Sequence, residues 1–279
     1  EIAEFKPEKM QVWELGANTA WAENTLIVNG AVFFQDYTDK QALTSQLNST
    51  GDRLISKIEN AGSAEAWGAE ISVTWSPIST FLGGNWLLNG SYTWLDTEYT
   101  DFEVISTSPV SAANAGNCTP VPGADQCALS YTGNELEDSA PGAFVGSLQY
   151  VVPVTGGLDL FLETDLQWTD RRYTDITNNV KVDEYWNTDF RIGLQAETWD
   201  LLLYVNNVFD DDTVRFTGGG PGLGCCFVLG SGVDVSASAA AGDPVPVGAV
   251  TVDLPLYSTA FLPPPRVVGL RGTFRFGGN

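Results

Sequence analysis

The chain has 279 residues, with 35 Asp and Glu against 13 Lys and Arg, a formal net charge of −22 and no His. The missing imidazole removes a Ser-His-Asp triad, His ligation of a metal and an axial His for haem, and the acidic balance repels nucleic acid. No apolar run approaches the roughly 20 residues of a membrane helix, and no signal peptide opens the chain, so an export address is expected upstream.

Taken in chain order, the sequence repeats one pattern: apolar residues at every second position opposite polar ones, the signature of a strand with two unlike faces. Trp13, Leu15, Ala17 and Trp21 oppose Glu14 and Asn18, and Leu26, Val28, Val32 and Phe34 follow. Ala69, Ile71, Val73 and Trp75 come next, then Trp86, Leu88, Tyr92 and Trp94, then Phe144, Leu148 and Tyr150. The longest regular run is Leu158–Trp168, with Leu158, Leu160, Leu162, Leu166 and Trp168 on one face and Asp159, Glu163, Asp165 and Gln167 on the other. Trp186, Phe190, Ile192 and Leu194 oppose Asn187, Asp189, Arg191 and Gln195; Trp199, Leu201, Leu203 and Val205 continue toward Phe216. Val268, Leu270, Phe274 and Phe276 close the series opposite Arg271, Thr273 and Arg275, for about nine strands in all.

Alternation alone also fits a β-sandwich with its apolar face inward. Three features favour a transmembrane barrel. The strands exceed the usual length of about five or six residues. An eleven-residue strand rises roughly 37 Å, or about 26 Å when tilted by about 45°, the height of an outer-membrane apolar band. Trp and Tyr gather near strand ends, as in an interfacial girdle.

The connections also alternate, short around Ala22–Asn24, Ser76–Gly84, Val152–Gly157 and Ala196–Thr198, long around Thr38–Ser56, Thr100–Asp138, Asp170–Asp183 and Thr217–Pro263. Barrels of this kind have short periplasmic turns and long extracellular loops. An odd strand count with ends on opposite sides does not close by itself. The expectation is therefore an all-β, antiparallel up-and-down transmembrane barrel, present here in part, with residues 1–279 as about nine C-terminal strands of a barrel of about 22.

Two features stay open at this level. The acidity fits either a soluble protein from a salty habitat or acidic loops beside anionic lipid bridged by divalent cations. Cys118, Cys127, Cys225 and Cys226 match no zinc spacing, and disulfides in an oxidising compartment fit better. Cys118 with Cys127 is the natural pair, and Cys225 and Cys226 bond each other or reach elsewhere.

Several motifs, in order, carry a family resemblance. Lys6-Pro7-Glu8 precedes Trp13-Glu14-Leu15-Gly16; Asn29, Phe33-Phe34 and Asp36-Tyr37 follow; then Trp67-Gly68-Ala69-Glu70 and Ala140-Pro141. Val205-Asn206-Asn207-Val208-Phe209-Asp210 is similar to an "NLFD" segment in a penultimate strand, and Pro265-Arg266, Gly269-Leu270 and Phe274-Arg275-Phe276 come after a long loop. Together these resemble the C-terminal barrel region of TonB-dependent outer-membrane receptors. Members commonly finish on the terminal aromatic, whereas Gly277-Gly278-Asn279 trail Phe276 here.

The resemblance implies a receptor in the outer membrane of a Gram-negative bacterium, not an enzyme, that takes up a scarce nutrient with energy relayed by the TonB complex. The plug, the TonB-contact segment and the earlier strands would lie outside this chain. Siderophore-iron, cobalamin or carbohydrate is the implied substrate class, with no cofactor and no metal. Other implied partners are outer-membrane lipid and lipopolysaccharide, the barrel-assembly machinery and a small-molecule substrate, with no nucleic acid. A passive porin-like channel is the alternative, followed by a barrel enzyme or a soluble β lectin.

Substrate contacts in the family come from extracellular loops, which here offer Tyr37, Gln41, Tyr99, Phe102, Tyr131 and Tyr173; girdle or loop-packing roles are equally open to these side chains. Arg191, Arg271 and Arg275 face the expected lumen, as do Asp165 and Asp189, and are expected to pair with acidic groups there or on a plug. Asn207, Phe209 and Asp210 suit a rim-shaping bulge or turn better than a ligand site.

Overall fold

The computed structural model describes residues 5–47, 54–60, 62–78, 81–106, 118–120, 127–176, 178, 180–218, 227–229, 250–252 and 259–276. Its largest sheet is an antiparallel meander of nine strands, each hydrogen-bonded to the next in sequence. These are β1 (Lys9–Trp21), β2 (Leu26–Thr38), β3 (Ser63–Trp75), β4 (Asn85–Asp101), β5 (Gly142–Thr155), β6 (Leu158–Thr169), β7 (Tyr185–Ala196), β8 (Trp199–Asn206) and β9 (Val267–Phe274). β1 and β9 are the two open edges.

Period-two alternation sets which face each side chain takes, and the register keeps like with like across the sheet. Trp13 pairs Phe34, which pairs Trp67; Trp168 pairs Trp186; Leu162 pairs Ile192, then Leu203, then Leu270. This apolar face is bare. Leu15 is 76 % exposed and Leu270 68 %, and Trp13, Trp67, Trp94 and Trp186 are also exposed. A soluble sheet buries such a face, so the arrangement is that of a wall whose outer solvent is lipid.

Aromatic rows bound that face above and below. Trp13 and Trp21 on β1, Trp67 and Trp75 on β3, and Trp86 and Trp94 on β4 each stand eight residues apart. Eight residues rise about 27 Å, or about 20 Å along the membrane normal at a tilt of about 40°. The rings pack along the rows: Phe34 lies 4.3 Å from Trp67, Trp86 lies 4.2 Å from Tyr150, and Trp168 lies 6.1 Å from Trp186.

The short connections are tight. Ala22, Glu23 and Asn24 all take positive φ, and the Thr25 N–H donates to the Ala22 carbonyl at 3.1 Å. Between β5 and β6 a register shift at Pro153–Thr155 leaves Gly156–Gly157 as the whole turn, two residues where the sequence suggested six. The long connections carry antiparallel pairs of their own, Gln41–Leu47 with Leu54–Asn60, Arg172–Tyr173 with Lys181–Val182, and Phe216–Gly218 with Thr259–Phe261.

One expectation needs correction. β8 does not run on to Phe216; it stops at Asn206 because Asn207 turns the chain with φ of 51°. Phe216 belongs instead to the short pair with Phe261.

Candidate functional site

β4 has 17 residues, a rise of about 56 Å, so its far end stands well clear of a band about 25 Å tall. There the protein acquires a core. Ala64, Tyr99, Phe102, Leu136 and Ile176 form one buried cluster, with Tyr37 and Tyr131 packed against it. Tyr99 and Phe102 have no exposed surface, and their rings stack at 4.9 Å.

The segment 134–137 ties three loops to this cluster. The Tyr99 hydroxyl donates to Glu137 at 2.6 Å, and Lys40 approaches the same carboxylate at 3.8 Å. Arg171 donates to Glu135 at 2.6 Å, and Asn178 exchanges two hydrogen bonds with the Glu135 backbone. Asn134 donates to the Ile176 carbonyl at 2.8 Å. Burial, with Asp175 nearby, pushes the Tyr131 hydroxyl above its ordinary pKa. Gly62 is required where this region joins β3, since its φ is +105° and a Cβ would fall 1.8 Å from the Asp101 carbonyl oxygen.

The loop aromatics named from the sequence are thus brought together at the rim, except Tyr173, which lies beneath the Arg171 guanidinium at 5.3 Å. Gln41 stands apart near the chain's first strand, its amide donating to the Lys6 carbonyl and its backbone N–H to Glu8. Leu136, Ile176 and Glu137 escaped the sequence reading because their loops show no periodicity. The run Asn134-Glu135-Leu136-Glu137 offered one apolar residue among polar ones as its only signal.

Below the rim the polar face of the sheet forms the lumen wall. Asp165 sits directly opposite Asp189 across β6 and β7, a like-charge pairing that destabilises a sheet unless a cation intervenes. Arg191 supplies it, bonding Asp165 and, at 2.7 Å, Glu163, with Asp189 at 3.8 Å. Arg275 donates to Asp200 at 2.5 Å. Arg271 makes no ion pair among the described residues, and lines a groove of about 370 Å³ with Arg191, Glu163 and Arg275. A second groove, of about 540 Å³, lies over β3–β7 and is lined by Ser72, Ser91, Asn89, Ser147, Asp165 and Asp189 among others.

Where β8 meets the rim, the buried Asn207 side chain donates to the carbonyls of Asp211 and Pro264 and accepts from the Asp211 N–H, while its own N–H donates to Asp189. Asp210 accepts from the Arg266 backbone and guanidinium, and these contacts hold its carboxyl below the usual range. The segment is a turn stapled to the strand that follows. Phe209 and Phe276 are exposed. Cys127 lies opposite Pro120 and Cys118 opposite Leu129 in one short strand pair. Cys225 and Cys226 lie outside the described residues.

Comparison with known proteins converges on one family. The family model described as TonB dependent receptor-like, beta-barrel, matches residues 2–208. No curated protein matches. Among solved structures, the ferric yersiniabactin uptake receptor FyuA from Yersinia pestis is similar at 18 % identity and a TM-score of 0.58, over 96 % of this chain and 30 % of that one. The ferric citrate transporter FecA is similar at 14 % identity and 0.54, over 96 % of this chain and 31 % of that one. The siderophore receptor PiuA from Acinetobacter baumannii is similar at 21 % identity and 0.52, over 75 % of this chain and 26 % of that one. This chain therefore spans less than a third of each receptor's length, and the likeness at these identities is one of fold.

Proposed function

This chain belongs to the TonB dependent receptor-like β-barrel family, and from that premise we propose that it is part of the barrel of a receptor performing TonB-driven uptake of a scarce nutrient. It stands in the outer membrane of a Gram-negative bacterium, as the family does. The observation that carries the reading is the two-faced wall: exposed Leu and Trp on one side, hydroxyls, amides and paired charges on the other, with short and long connections alternating in the order that outer-membrane barrels require.

The open edges at β1 and β9 support placing these nine strands within a larger barrel, because unpaired backbone groups are costly in lipid. A plug inside that barrel would meet the lumen wall. Siderophore-iron is the first substrate class to test, with cobalamin and carbohydrate after it. On the rim, Tyr131, Tyr173 and Gln41 are the side chains proposed to meet a ligand, while the buried Tyr99 and Phe102 hold the loops that present them.

The test is uptake of radiolabelled ferric siderophores by the host strain under iron limitation, with and without its TonB gene. Uptake that needs both this receptor and TonB is expected. Receptor-dependent uptake that persists without TonB would mean a passive channel.

A further inference from the structure

The lumen wall is divided. Within about ten residues of the short turns, the lumen face of β2–β5 carries one charged side chain, Glu70 on β3. Over the same distance from their turns, β6–β9 carry Asp159, Glu163, Asp165, Asp189, Arg191, Asp200 and Arg271. In a chain with 48 charged residues, this places all but one charge of that zone on one half of the wall.

The neutral half is also shallow and loosely bonded. Its side chains are short, and they satisfy one another: Asn29 donates to Ser72 at 3.4 Å, Thr74 to Asn89 at 3.0 Å, and Asn89 to Ser147 at 3.4 Å. Two of these bonds sit at the long limit for a hydrogen bond, so a polar group arriving from solution exchanges with them at little cost. The groove of about 540 Å³ above them is within the size range of ligand sites; no aromatic side chain lines it, and its carboxylates, Asp165 and Asp189, stand on its β6–β7 side. Its β3–β5 side, with neither a stacking platform nor a charge, holds weakly what touches it.

The charged half has the opposite character. Opposite charges attract more strongly in a narrow lumen of lowered dielectric than in bulk water, which lengthens a dwell there. A charged group arriving at Arg271 or at the Arg191 carboxylates stays there.

The geometry points to a lane for solute along β3–β5, lined by Ser72, Thr74, Asn89, Ser91 and Ser147, which passes hydroxyl, carbonyl and amide groups while β6–β9 holds whatever fills the rest of the lumen. This rests on the uptake reading above.

Single cysteines in the intact receptor test it in the outer membrane of living cells. Ser91→Cys and Ser147→Cys report on the neutral half, and Gln195→Cys and Thr273→Cys on the charged half. The probe is a membrane-impermeant, sulfonate-bearing methanethiosulfonate, and the parent chain with its own four cysteines sets the background. Each variant is labelled with the inner membrane energised and after a protonophore has collapsed its gradient. Since labelling follows the population of the open form, Ser91→Cys and Ser147→Cys are expected to react about tenfold faster in energised cells, and the other two at unchanged rates. An energy-dependent rise at Gln195→Cys and Thr273→Cys, alone or equal to that on the neutral half, would leave uptake standing and remove the lane. No response at any position would remove the uptake reading and the lane with it.

Discussion

The rim and the wall of this protein are built on opposite rules. At the rim, Tyr99 and Phe102 are sealed from solvent, and charges such as Arg171 and Glu135 pair around them, as in any soluble domain. In the wall, Leu15 and Leu270 stand bare while Arg191 and its three carboxylates turn inward. The same chain obeys both because its surroundings change from water to lipid along each strand. Burial of apolar area drives the rim. The wall needs no core, since its backbone is satisfied by the ladder and its apolar face is covered by the bilayer.

The comparison can be broken most forcefully at the rim. Phe102→Ala is expected to cost about 3–5 kcal/mol of local stability, the range for emptying a buried aromatic site. Hydrogen exchange should show lost protection across 131–136 while heat-modified migration of the barrel stays normal. Unchanged exchange there would mean that the rim has no cooperative core.

The wall offers a smaller effect with a sharper contrast. Ile192 faces lipid one position away from the inward Arg191. Ile192→Arg should cost about 2–4 kcal/mol, the price of an Arg near the bilayer midplane, and the lumen-facing Gln195→Arg much less. Urea titration of refolding into lipid vesicles measures both. Equal costs would contradict the assignment of faces.

The smallest effect lies at the junction of the two regions. Contacts with Arg266 depress the Asp210 pKa, so its stabilising contribution is complete above the unfolded carboxylate's pKa of about 3.9 and is lost as pH falls through the lower folded value. Wild type should therefore exceed Asp210→Asn in unfolding temperature at pH 6, and the gap should close in strong acid. A gap that widened on acidification would reverse the assigned sign.

Much of the wall was legible because period two is a local property. The alternation at Leu158–Trp168 alone assigns two faces, and nine such runs emerge as nine strands. The end of β8 was not legible. The apolar spacing past Val205 pointed onward to Phe216, but the turn at Asn207 depends on carbonyls at Asp211 and Pro264, the latter 57 residues away. Parity alone put Arg191 on the polar face of the sheet, whereas its bond to Glu163 depended on strand register.

The sequence by itself determined the strand count, the unlike faces and the parity of the loops, since each follows from spacing between near neighbours. Only the tertiary structure decided that Tyr99 and Phe102 are sealed beneath residues 134–137, and that Arg191 bridges Glu163 and Asp165. Both depend on contacts between segments far apart in the chain, and alternation carries no information about which loop folds over which ring.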